Sequence, residues 1–421
     1  MNAEIITIGD EILLGQIVDT NSAWLAQCLA HLDIQIGGMV SIADNAEAIT
    51  SALDIASSRS KLVIVTGGLG PTQDDVTKKT IADYFKTSLV SNQEVLNHVK
   101  ALFANRLGKD MPVSNYAQAE VLACSEVLFN DVGTAPGMWV ERDQAIYAFL
   151  PGVPFEMKFL MENRVLPKLL QRQSAIKLYH AHIVTVGLGE SYLAEQIADI
   201  EQSLPPYIKL AYLPKIGLVR LRLTAKGADE RVLKSQTEGF ADQIAERLQA
   251  YLVSRRDISF EEAIVDEFAR SGSKLATAES CTGGAIASRI TQVAGASQVF
   301  DCGIVAYHNK IKMSVLGVQE DTLEQFGAVS EQTVIQMAEG VKRLSGADYG
   351  IATSGVAGPS GGTPDKPVGT VWIAVAGKTK TLTQKFQFHN TRDINIERSA
   401  MQALIKMWML YREEVGVSYD I

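Results

Sequence analysis

The run Ala278-Glu279-Ser280-Cys281-Thr282-Gly283-Gly284 sets a hydroxyl, a thiol and two glycines between an apolar stretch (Lys274-Leu275-Ala276-Thr277) and an amphipathic one (Ala285-Ile286-Ala287-Ser288-Arg289-Ile290). That order predicts a strand, a tight turn and a helix start, with Ser280 on the turn beside main-chain N–H groups that no helical carbonyl satisfies. A serine so placed can act as a nucleophile, and the amides, around Thr282, Gly283 and Gly284, can receive an oxyanion or a phosphate. The plainer alternative is structural: Ser280 or Thr282 caps the helix, and the glycines permit close packing. Cys281 is a rival nucleophile, because a thiol at a helix N-terminus can be acidified.

A second set of candidates lies nearer the N-terminus. Gly9-Asp10-Glu11, Gly67 to Asp75, and Pro151 to Pro154 each follow an apolar strand-like run, so in an open parallel sheet they fall on the ligand-binding edge. Gly67, Gly68 and Gly70 expose amides suited to a phosphate. Carboxylates at Asp10, Asp74 and Asp75 suit a divalent cation bridging to a diphosphate, although Asp74 and Asp75 also stand where helix-capping acids are expected. Asp19 either caps the helix that opens near Asn21 or touches a ribose.

The elements that must position these residues alternate between strand and helix. Strands are expected at 4–8, 61–66 and 145–150 and helices at 21–32, 46–57, 75–85 and 155–170, which predicts a three-layer α/β domain over residues 1–170. After the polar run Gln171-Arg172-Gln173-Ser174, read as a linker, the rhythm changes to strand (178–186), helix (191–202), two strands (208–213, 217–225) and helix (229–252). This is a small α+β unit over 171–254. From 255 to 421 a second α/β domain follows, with strands at 274–278, 299–307, 349–354, 369–376 and 381–388 and helices at 260–271, 283–291, 330–344 and 394–411.

Composition narrows the function. Across 421 residues the hydrophobic share is 47% and the charged share 21%, an ordinary globular mixture too long for one core. A net charge of −9 supplies no field for nucleic acid or an anionic membrane, so any phosphate must be held by local donors. The four cysteines are scattered without C-x-x-C spacing and fit neither a disulfide framework nor a zinc site. With no signal-peptide pattern and no apolar run near the ~18 residues of a membrane span, the expected location is the cytoplasm.

Extended blocks now make a family resemblance specific. Thr7 to Leu13, Gly15 to Asn21, Thr66 to Asp75, Gly133 to Gly137 and Leu150 to Pro154 resemble, in order, the CinA family of bacterial competence/damage-inducible proteins, whose N-terminal domain is similar to molybdopterin-binding domains. The resemblance continues through Ala278–Gly284, Tyr307 to Lys312, Gly327 to Ser330, Thr353 to Pro359 and Lys366 to Val371, and so covers the whole chain. It implies two hydrolytic activities: ADP-ribose cleaved to AMP and ribose 5-phosphate by the N-terminal domain with a divalent metal, and nicotinamide mononucleotide deamidated without a cofactor by the C-terminal one. The middle segment matches the family's KH-type unit but lacks a G-x-x-G loop, so RNA binding does not follow.

Within the C-terminal blocks the resemblance points to Ser280 as nucleophile and Lys312 as its base, with Tyr307 orienting the lysine or relaying a proton. Burial or neighbouring cations would have to lower the lysine from its ordinary value of about 10.4. Ser354, Gly355 and Gly358 belong to a glycine-rich segment that offers amides to the nucleotide phosphate, and Arg392 and Arg398 would pair with it. The expected partners are these two small nucleotides and a second copy of the chain in a homodimer, with no nucleic acid and no membrane. Two other readings stay open: a pterin- or nucleotide-binding module without chemistry, and a scaffold in DNA uptake or repair.

Overall fold

A computed structural model describes residues 1–70, 76–107, 111–172 and 177–416. The chain forms two compact units, Met1–Ile176 and Lys177–Ile421.

The first unit is built on a six-stranded sheet. Gln35–Ile42, Asn2–Ile8, Leu62–Thr66 and Ala145–Leu150 run parallel in that spatial order, and Gly137–Arg142 and Glu126–Leu128 add antiparallel strands at one side. All five residues of Leu62–Thr66 are buried, as a central parallel strand covered on both faces requires. Thr7 pairs with Thr66 and Thr66 with Leu150, so the segments after these strands leave from one edge.

Gln35–Ile42 was not expected as a strand, because Gly37-Gly38 weaken its strand pattern. Their role is spatial. A Cβ at either glycine would lie 2.7 or 2.5 Å from the carboxylate of Glu4, which is buried on the neighbouring strand and paired with Arg59. The helix expected at 75–85 is Thr77–Phe85, and the one expected at 155–170 runs as Pro154–Leu160, a π-helical turn at Met161–Val165, and Leu166–Arg172. Gln171 and Arg172 of the expected linker therefore close a helix, while Gln173 and Ser174 lie outside the described residues.

The second unit carries two sheets. A four-stranded antiparallel one, ordered Ile208–Lys215, Leu218–Gly227, Lys177–Val186 and Leu252–Ser254, is backed by Glu230–Arg247 and Glu190–Gln202. The helix expected through residue 252 stops at Arg247, and Leu252–Ser254 returns to the sheet edge.

The larger sheet is ordered Phe300–Val305, Leu275–Glu279, Tyr349–Gly355, Thr370–Ala376 and Thr381–Gln387, the first three parallel and the last two antiparallel. Its two faces bury different side chains. Phe260, Phe268, Ile286, Tyr349, Ile351, Ile373, Trp408 and Tyr411 form one core, and Ala276, Ala278, Met337, Val341, Ala352 and Ala374 form the other. Period-two alternation along each strand makes that division.

Phe268 is fully buried, with ring centroids 4.8 Å from Tyr411 and 5.4 Å from Tyr349. Phe268→Ala should lower unfolding free energy by about 3–5 kcal/mol in denaturant titration. A loss below about 1 kcal/mol would show that this ring cluster is not a packed core.

Candidate functional site

The second unit's sheet presents its nucleophile where the sequence pattern expects one. Leu275–Glu279 ends immediately before Ser280, and the helix begins only at Ala285, after a turn in which Gly283 and Gly284 adopt φ of +62° and +101°. Side chains other than glycine rarely accept that region. Ser280 is tied to the next strand by its N–H, which donates to Thr353 O at 3.0 Å. Thr282 and Thr353 share a buried hydroxyl contact of 2.7 Å beside it.

Lys312 approaches from Asn309–Ser314, a helix that sequence reasoning did not anticipate. His308 caps that helix by accepting from Lys310 N–H at 3.1 Å, which commits its ring to structure. Lys312 is 1% exposed. Its Nζ lies 3.1 Å from Ser280 Oγ, 2.7 Å from Ala306 O and 3.3 Å from Tyr307 O. Among the described residues no carboxylate forms an ion pair with it. Burial therefore pulls the ammonium below the usual lysine range. In the neutral amine two N–H bonds serve the two carbonyls, and the lone pair is left to accept the Ser280 hydroxyl.

The rival nucleophile has the opposite environment. Cys281 packs into the apolar core, and burial pushes its thiol up to about 12. It is a protonated core residue, not an acidified one.

Several expected roles need correction. Gly283 N–H donates to Ser280 O at 3.2 Å, and Gly284 N–H donates to the Glu279 carboxylate at 3.0 Å, so neither is free for an oxyanion. Among the described residues the N–H groups of Cys281 and Thr282 meet no acceptor, and Cys281 lines the cavity in front of Ser280. Tyr307 meets Lys312 through its main-chain carbonyl. Its ring is 61% exposed, and its hydroxyl accepts from Arg392 Nη2 at 3.0 Å, so the phenol does not orient the lysine. Ser354 is buried and donates to Ala328 O at 2.6 Å. Arg398 is exposed and does not line the cavity, because six residues at about 100° each carry it off the side of the helix that holds Arg392.

The cavity holds about 290 Å³, near the lower end of small-molecule pockets. Ser280 and Lys312 lie in its wall with Asn309, Gly355, Gly358, Ser360, Gly361 and Arg392. Arg392 braces the glycine-rich loop by donating to Gly358 O at 2.8 Å, and Asn395 does the same at Ala357 O at 3.0 Å. No acceptor among the described residues takes the N–H groups of Gly358, Ser360 or Gly361, so this loop offers main-chain donors. Asn309 was missed as a site residue; Tyr307 and Lys312 on either side of it had drawn attention, but only the fold brings it to the cavity. Hollows of about 670 and 420 Å³ elsewhere in this unit contain neither Ser280 nor Lys312.

In the first unit the three loops meet at the sheet edge. Gly67 N–H donates to Leu150 O at 3.1 Å, and Asn21 Nδ2 donates to Gly152 O at 2.8 Å and Thr66 Oγ1 at 3.3 Å. A Cβ on Gly67 would sit 2.1 Å from Ile8 O, and one on Gly68 2.0 Å from Thr77 Oγ1, so close packing requires both glycines. Gly70 ends the described part of this loop.

Asp19 caps the helix Thr20–His31, accepting from Ser22 N–H at 2.9 Å and Ser22 Oγ at 2.5 Å. Burial alone would raise its carboxyl, but these donors and the Thr7 and Ser41 hydroxyls outweigh burial and hold it low. Its lone pairs thus serve the cap rather than a ribose. Asp10 is exposed and accepts from Asp44 N–H at 3.3 Å. Asp74 and Asp75 lie outside the described residues, and among the described ones no three side chains of metal-ligating type gather. Likewise, no described helix is long and apolar enough to cross a membrane.

Fold and site define a class: an α/β protein with a molybdopterin-binding-like N-terminal unit, a KH-like middle and a C-terminal α/β domain in which a buried lysine meets a serine. Residues 4–171 match the family model for a probable molybdopterin binding domain, 180–254 the damage-inducible protein CinA KH domain, and 257–410 the CinA C-terminal domain. A CinA-like protein of Cytophaga hutchinsonii is 46% identical over 402 residues, covering 96% of each chain. A putative competence-damage inducible protein of Caldicellulosiruptor saccharolyticus is 42% identical over 407 residues, covering 96% of this chain and 98% of that one. The crystal structure of competence/damage inducible protein CihA from Agrobacterium tumefaciens shares 39% identity and covers 36% of this chain and 93% of that one, with a TM-score of 0.36. The chain belongs to the CinA family.

The thiol environments can be checked directly. In native protein near pH 8, exposed Cys124 should react with a thiol reagent within minutes, and Cys281 only after unfolding, as read by peptide mass spectrometry. Labelling of Cys281 ahead of Cys124 would contradict the core assignment.

Proposed function

We propose that the C-terminal site deamidates nicotinamide mononucleotide to nicotinic acid mononucleotide and ammonia. The observation that carries this reading is Lys312 Nζ, buried without a counter-charge among the described residues, at 3.1 Å from Ser280 Oγ. Neutral Lys312 takes the hydroxyl proton as Ser280 Oγ adds to the carboxamide carbon. The resulting oxyanion is met by the Cys281 N–H, a donor of the kind worth about 3–4 kcal/mol. Lys312 then passes its proton to the leaving nitrogen, the C–N bond breaks, and ammonia departs from a serine ester. Water, losing a proton to Lys312, adds to the ester; collapse returns the serine hydroxyl and releases the carboxylic acid. The open amides of Gly358, Ser360 and Gly361, with the guanidinium of Arg392 behind them, suit the nucleotide phosphate.

Ser280→Ala should abolish ammonia release, and Lys312→Met should lower kcat by about 10²–10⁴-fold with the fold intact, the range for a lost general base. Activity surviving in Ser280→Ala would overturn the mechanism. Because the base works as the neutral amine, kcat/KM should rise with pH through an inflection below 10.5, the ordinary lysine value. A limb at or above that value would contradict a desolvated lysine.

For the N-terminal unit the reading is hydrolysis of ADP-ribose to AMP and ribose 5-phosphate. It is supported by the convergence of glycine-bearing loops at the sheet edge and by the family match over residues 4–171. A divalent cation held by Asp10, Asp74 and Asp75 would supply Lewis-acid polarisation of the diphosphate. AMP release from ADP-ribose should require added Mg²⁺ or Mn²⁺ and be lost in Asp75→Ala. Release undiminished by chelator would exclude the metal.

A further inference from the structure

Glu279 is a carboxylate with 1% exposure at the last position of a buried strand, next to the nucleophile, and no cation among the described residues forms an ion pair with it. Burial of this kind is costly unless hydrogen bonds replace the lost water. Here they do. One oxygen accepts from Gly284 N–H at 3.0 Å and Ile286 N–H at 3.1 Å, and the other from Ala287 N–H at 2.9 Å.

These donors are the orphan amides of the helix start, where a side chain from just before the helix would ordinarily cap. The helix has no side-chain cap on its N-cap residue Gly284. Glu279 reaches over the turn instead, so residues 280–283 form a loop closed at its base by one side chain. Two consequences follow. The strand end and helix start are locked together around Ser280, and the helix amides are filled, so they cannot compete for a developing oxyanion.

Resting on the deamidation reading, we propose that Glu279 is a positioning residue of that reaction: its carboxylate clamps the turn so that Ser280 Oγ stays on the Lys312 amine and the Cys281 N–H stays open for the oxyanion. Glu279→Gln is nearly isosteric, but its amide nitrogen would face a main-chain N–H. The turn must then shift, and displacement of reacting atoms by about 1 Å is enough to cost about 10²-fold in rate. The loop Gly358–Gly361 is untouched by that change.

The test compares wild type, Glu279→Gln and Glu279→Asp in steady-state ammonia release, with calorimetric binding of nicotinic acid mononucleotide as a second readout. For Glu279→Gln we expect kcat to fall about 10²-fold, while KM and product affinity stay within about three-fold. Should Glu279→Gln prove insoluble, Glu279→Asp, which keeps the charge one methylene short, should show the same kcat-selective loss. Wild-type kcat in the soluble variants, or parallel loss of kcat and product affinity, would overturn the positioning role. A wild type that releases no ammonia would instead refute the underlying deamidation, and the two failures are thereby told apart.

Discussion

A lysine amine removed from water, with no anion among the described residues to pair with, is the constraint on which the C-terminal site depends. Desolvation penalises the charged form, and the two carbonyls at Ala306 and Tyr307 can be served equally well by the two hydrogens of a neutral amine. What is left is a lone pair 3.1 Å from a hydroxyl. No histidine or carboxylate is needed to prepare it. The burial of the amine is therefore part of the chemistry.

The same burial that activates the lysine silences the thiol. Cys281 and Ser280 are adjacent in sequence, yet the turn sends one side chain into the core and the other into the cavity. A thiol in apolar surroundings holds its proton, so proximity to a helix start does not acidify it. Glu279 accounts for the rest of that environment, since it takes up the helix amides that would otherwise lend the turn a positive end. Three consecutive residues thus serve as clamp, nucleophile and core, and the main chain of the third offers the oxyanion donor.

Much of this was legible from residue patterns, and the remainder was not for identifiable reasons. The strand–turn–helix around Ser280 follows from local periodicity and paired glycines, and Phe260–Ser271 was read to the residue because Ser259 and Glu262 form a capping box and Gly272 closes the helix. Gln35–Ile42 was hidden because its glycines answer to a carboxylate on another strand. Glu279 drew no role from the sequence, since its partners lie across a turn whose closure only the fold defines. Arg398 was misplaced by helical phase, and Tyr307 because only one of its two polar groups, the carbonyl, faces the amine. In the first unit, Asp19 divides two plausible roles in favour of the cap through hydroxyls at Thr7, Ser22 and Ser41 that come from separate elements.

The central claim concerns one proton, and nuclear magnetic resonance can follow it without substrate. In protein labelled with ¹³C at lysine Cε, the Lys312 signal, assigned by its disappearance in Lys312→Arg, is titrated with pH. It should titrate below the ordinary lysine value of 10.5, as the burial of its amine requires. Titration at or above that value would mean that the amine stays charged beside Ser280, and that it cannot serve as the base.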